Sequence, residues 1–331
     1  MTPTDPLELR ATPHRVRVAT TAADLSAPAI ARAIELAVAT PPRSAWRDFL
    51  ASTLALLGGA LVLAGVVCFV AFNWTRIGRF GKFALLELAI VATVIVAWKK
   101  LPALSGQMAL FGAAVLVGPL LAIYGQAFQT GADPYGLFLV WAGLILPWAV
   151  LGRFAATWML VILLLDASLV LFYAQVWTPR STSHALLVPI SIGVLHLAAL
   201  LVWEWQLRRE RPFLREEWAG RTVATAALAA LFFPWAAFVV GGTTAGVAGV
   251  LGAALFAGVV FAVLRYYGRT RPDRFMVALA GLAAMAAICV IAGRIVFIWL
   301  HLGSFGAVIM AIFVLWQISF GLKLFRETRA P

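Results

Sequence analysis

Unbroken apolar runs of about 20 residues recur along most of the chain, separated by short stretches that hold most of its charge. Residues 54–72 and 157–173 are two of them. A run of that length crosses a hydrocarbon core of roughly 30 Å at 1.5 Å per residue, and backbone buried in lipid must satisfy its own hydrogen bonds. Only helices or a closed barrel do so, and the absence of ten-residue alternating segments favours helices. The predicted fold is therefore all-α, a polytopic transmembrane helical bundle.

Composition agrees. Of 331 residues, 63% are hydrophobic and 12% charged, about half the charge of a soluble domain. Ten spans are placed near residues 52–73, 81–98, 107–127, 135–151, 155–177, 185–203, 221–240, 244–264, 275–299 and 304–322. The least distinct division lies at Arg153, although residues 135–177 are too long for one crossing. A polar cytoplasmic tail (1–50) is expected to precede four spans (51–153), then six more (154–323) and a short tail (324–331). In the first tail, Ser26 and Pro28 can start a helix that Pro41-Pro42 ends. Ile30, Ile34 and Val38 recur at helical spacing opposite Arg32 and Glu35, which describes a helix on the membrane surface. A loosely ordered tail is the alternative.

The formal charge of +12 would suggest nucleic acid in a soluble protein. Here topology accounts for it better. With the N-terminus inside, 21 of the 26 Lys and Arg fall in inside segments and four outside, while Arg294 lies within a span. The positive-inside rule then gives N-in and C-in. Arg76, Arg79 and Lys82 are the outer exceptions, able to snorkel to headgroups. The expected partners are the lipid bilayer and other membrane proteins, with no nucleic acid.

Two segments carry a family resemblance. GGALVLAGVVCFVAFNW at 58–74 closes a span on Asn-Trp, and YGQAFQTGADPYGLFLVWAGLILPW at 124–148 joins a Gly-Gln-x-x-Gln-x-Gly segment to a Trp-to-Pro-Trp helix. Together they resemble the bacterial predicted membrane proteins grouped as domain of unknown function 2157, over roughly residues 45–153. The resemblance implies a multi-pass protein of the bacterial inner membrane, working beside other membrane proteins. It implies no activity, and nothing is carried over to residues 1–40.

Ionisable residues within spans are the best functional pointers, each costing about 2.5–3.5 kcal/mol or more at the bilayer centre. Asp166 and His196 fall at similar depth in consecutive antiparallel spans. They could relay protons or staple two helices by a hydrogen bond. Glu87 and Arg294 are at comparable depth and would offset each other's desolvation if their helices touch. Asn73, Gln126, Gln129, Asp133 and Gln175 could line an outer vestibule, or simply satisfy helix ends at the interface. Asp133-Pro134 looks like an N-cap followed by the first helical residue. Gly242, Gly246, Gly249, Ala253 and Ala257 form a small-residue stripe suited to close helix packing.

No catalytic motif or cofactor motif occurs, and residues 78–82 lack the spacing of a P-loop. Cys68 and Cys289 lie inside apolar runs, which argues against a disulfide or a metal site. The expectation is a structural, assembly or sensory membrane component that is not an enzyme. The competing expectation is a small-solute transporter or channel, coupled to protons through Asp166 and His196.

Overall fold

The computed structural model describes residues 16, 25–38, 43–72, 76–101, 103–128, 133–209, 214 and 216–327. Among these residues the secondary structure is entirely helical. Eleven principal helices are α1 (Ala27–Val38), α2 (Arg43–Phe72), α3 (Arg79–Lys100), α4 (Leu104–Phe128), α5 (Pro134–Gly152), α6 (Ala155–Gln175), α7 (Leu187–Leu207), α8 (Glu217–Gly241), α9 (Gly246–Arg265), α10 (Arg274–Gly293) and α11 (Gly303–Glu327).

Two compact units divide the chain between Ala64 and Gly65. The first contains α1 and most of α2. In α1 the backbone N–H of Ile30 donates to the Ser26 carbonyl, and Arg32 pairs with Glu35 at 2.7 Å on an exposed face. The described side chains of α2 are exposed or half-buried.

The second unit is built from neighbours in sequence, as short links between antiparallel helices demand. Helices α4, α5 and α6 share a core of Ala114, Val117, Ala142, Ile145, Ala149, Val161 and Leu164. Helices α7 to α10 surround two more clusters, one including Leu200, Ala224 and Val263, the other Leu231, Trp235 and Phe256. Alanines such as Ala114, Ala224 and Ala287 lie among the larger side chains of these clusters and let helices approach closely, which matters where lipid supplies no hydrophobic drive between them.

Seven helical runs are long and apolar enough to cross a membrane. The sequence suggested about ten, and the difference has three sources. Glu217–Thr270 is one continuous 54-residue run, yet it reverses on itself. Gly242 and Gly246 flank a 3₁₀ turn at φ 56° and 58°, which lets α8 and α9 pack side by side. Gly303–Gln317 is a shorter apolar helix, and α2 contributes Leu57–Val66. The division at Arg153 is sharp: α5 ends at Gly152, Arg153 adopts the left-handed conformation at φ 47° and ψ 38°, and α6 starts at Ala155.

The small-residue stripe is only partly as expected. Gly249 is buried with Gly252 and Phe256, whereas Ala257 is exposed and Gly242 and Gly246 belong to the turn. A Cβ on Gly252 would come within 2.4 Å of Pro234, so α9 leans on α8 through Gly252, while Ala253 is half-buried against the cluster that includes Leu231 and Trp235. Pro-Trp-Ala occurs twice, at 147–149 and 234–236, in unlike surroundings, with Pro147 exposed and Pro234 fully buried.

Candidate functional site

Asp166 on α6 and His196 on α7 do meet. Their Oδ2 and Nε2 atoms are 3.5 Å apart, with the His side chain 7% and the Asp side chain 22% exposed. His196 Nδ1 lies 2.9 Å from the Ile192 carbonyl, one turn earlier on its own helix. A carbonyl only accepts, so this contact places the proton on Nδ1. Nε2 and the carboxylate then face each other as two acceptors unless a further proton lies between them. The pair can hold one proton in the middle of two packed helices, over a contact longer than a good hydrogen bond. Asp166 Oδ1 is buried and has no hydrogen-bond partner among the described residues.

Glu87 and Arg294 do not pair. Helix α3 packs chiefly on α4, whereas Arg294 follows α10, which packs on α8, α9 and α11. Glu87 is exposed. Arg294 begins a π-helical turn, Arg294–Trp299, with its guanidinium 6.0 Å from the Trp299 ring and close to Gly242. Similar depth brought no contact, because the two helices lie on different neighbours.

The vestibule residues are divided. Asn73 and Gln129 lie outside the described residues. Gln126, Asp133 and Gln175 are exposed. Tyr135 packs against Phe172 and its carbonyl accepts from Ser168, so Asp133 and Gln175 share one end of the α5–α6 pair. Asp133 does stand at the N-cap position, but its side chain makes no cap hydrogen bond.

The most developed polar cluster centres on Glu204, which sequence reasoning passed over. Glu204 is buried on the last turns of α7. Its Oε1 accepts from the Tyr267 hydroxyl at 2.6 Å and from Arg271 at 2.7 Å, and its Oε2 accepts from the Tyr266 hydroxyl at 2.9 Å. Adjacent residues on an α-helix point about 100° apart, and here both tyrosines sit on a π-helical turn, Tyr266–Thr270, that presents both to one carboxylate. Arg208 in turn donates to the Tyr266 hydroxyl at 3.2 Å, a bond that raises the guanidinium's pKa further.

Nearby contacts extend the same end of the bundle. Gln206 donates to the Leu214 carbonyl at 2.8 Å and accepts from the Leu214 N–H at 3.1 Å. Arg221 bridges Glu217 and Asp273, and Asp273 caps α10 through the N–H groups of Phe275 and Met276. The signal for this cluster was present as an acid between two tryptophans, Trp203 and Trp205, facing a Tyr-Tyr-Gly-Arg-Thr-Arg segment. Glu204 falls one residue beyond the predicted span at 185–203, so it is not among the ionisable residues placed within spans.

Among the described residues, no group of three or more His, Cys, Asp or Glu could hold a metal ion. Grooves of about 580 and 500 Å³ open on the surface, and neither is lined by Asp166 or His196.

Residues 23–158 match the family model described as Predicted membrane protein (DUF2157). The match starts well before the two motif segments and takes in α1, so the short N-terminal helix is part of the family-like region. Comparison with curated proteins returns no match, and comparison with solved structures returns none.

Proposed function

We propose that this chain is a ten-span protein of the bacterial inner membrane, N-in and C-in, that serves as a structural, assembly or sensory component without chemistry of its own. The observation that carries this reading is the use made of polar side chains within the bundle. Glu204 takes three donors from elements beyond α7. Tyr173 meets Ser191 across α6 and α7, and Cys289 meets Gln317 across α10 and α11. Each contact joins one helix to another, as polar residues do when they fix packing in lipid. The orientation rests on the 21 basic residues assigned inside against four outside.

Proton-coupled transport is the second reading. It is favoured by the single proton needed between Asp166 and His196, and by the unpartnered Oδ1 beside it. The two readings diverge in Asp166→Asn and His196→Gln. Purified protein would be reconstituted in liposomes holding a pH-sensitive dye, and its unfolding followed in parallel. A stapling pair loses stability in both variants while proton flux stays at the protein-free level throughout. Flux through the native protein that both folded variants abolish would overturn the structural reading in favour of transport.

A further inference from the structure

The groove of about 580 Å³ between α7 and α9 has a chemical gradient along its length. Leu197, Leu201, Leu251 and Leu255 line its inner part, and Gly258 widens the middle. Arg208, Tyr266 and Glu204 form one end. From Leu197 to Arg208 the groove follows α7 for about 16 Å at 1.5 Å per residue. That is close to the hydrocarbon depth of one leaflet, about 15 Å.

The polar end is also the membrane-interface end. Trp205 is exposed there, with the Arg209 guanidinium stacked 3.7 Å from its ring centroid, and tryptophan and tyrosine favour the headgroup level. Among the described residues, charge at this mouth is not balanced. Glu204 is compensated by Arg271 and two hydroxyls. Arg208 keeps a full positive charge and spends one donor on Tyr266, out of the five a guanidinium carries.

We propose that this groove is a binding site for one anionic phospholipid, with an acyl chain along the leucines and its phosphate on Arg208. The π-helical turn contributes by swinging Tyr266 under the Arg208 guanidinium, 5.5 Å from ring to cation, which orients the donor fork toward the headgroup. The inference goes beyond the proposed function and does not depend on Asp166 or His196.

The test is native mass spectrometry of the full chain released from bilayers of equimolar phosphatidylglycerol and phosphatidylcholine. The native protein should retain phosphatidylglycerol about tenfold over phosphatidylcholine, the scale of one charge-assisted hydrogen bond. Arg208→Gln should bring the ratio near parity, and Arg208→Lys should restore much of it. Gly258→Trp places a ring where a Cβ meets no heavy atom within 4 Å, so it fills the groove without disturbing the helix. It should reduce retention of both lipids, with helicity checked by circular dichroism. Parity in the native protein overturns the site, as does an unchanged ratio in Arg208→Gln or undiminished retention in Gly258→Trp. A dimer that Gly258→Trp dissociates would assign the groove to a second copy of the chain and overturn it as well.

Discussion

Removing the Glu204 carboxylate should be among the most costly single changes in the α7–α10 half of the bundle. Glu204→Ala strands two tyrosine hydroxyls and Arg271, of which Tyr267 is buried. Interhelical hydrogen bonds in membranes average about 0.6 kcal/mol and reach about 1.7, while bonds to a charged group run to about 1.5–3 kcal/mol. Arg271 is 39% exposed, so its share belongs near the low figure. Three donors at about 1 kcal/mol each give a loss of about 3 kcal/mol. Glu204→Gln keeps the volume and one acceptor oxygen, and should lose about half as much. Tyr267→Phe should cost more than Tyr266→Phe, since its bond is shorter and its ring is buried. Equilibrium unfolding in mixed micelles, followed by far-ultraviolet circular dichroism, measures all four, with the lipid-facing Val202→Ala as control. The reasoning fails if Glu204→Ala and Glu204→Gln both fall within about 0.5 kcal/mol of that control, the range of ordinary surface changes.

Gly118→Ala would set a Cβ about 2.2 Å from the Trp141 ring and strain the Trp141 bond to the Ala114 carbonyl. A loss of about 1–3 kcal/mol is expected for such overpacking, visible in the same unfolding assay. Gly252→Ala should destabilise through Pro234, whereas Gly258→Ala, which meets nothing, should be neutral or gain up to about 1 kcal/mol in helix propensity. Equal effects at the two glycines would refute the packing register. Replacing Asp166 and His196 together by Leu should cost less than either single replacement, because one partner left alone is buried and unpaired. Additive losses in that double-mutant cycle would show that the pair is not coupled. Gln206→Leu should speed proteolysis between residues 208 and 216 by freeing Leu214, and an unchanged cleavage rate would contradict that clasp.

Helix content and most helix ends could be read from apolar run length, because lipid leaves the backbone few options. The Asp166–His196 contact was legible too, since antiparallel neighbours fix relative depth. Glu87 and Arg294 show where depth fails. It says nothing about which helices are adjacent, and that depends on packing among small residues spread over the chain. Arg153 in the left-handed conformation could not be expected from a residue type that rarely adopts it. The Glu204 cluster needed a π-helical turn to converge, and periodicity alone does not announce one. The short α1 helix was visible from its caps and spacing, while its inclusion in the family-like region was not.

The turn at Gly242–Ala245 has a consequence for how the protein enters its membrane. Between Gly241 and Gly246 the chain carries no charged side chain, only Gly, Thr and Ala. Basic residues sit instead at the opposite ends of the hairpin, at Arg221 and Arg265. In the proposed orientation this turn must pass through the hydrocarbon to reach the far side; it would bring no ion with it, and the two helices could insert together as one hairpin. In that orientation its translocation would owe nothing to the membrane potential, which acts only on charge, and the arginines left behind would hold it in place.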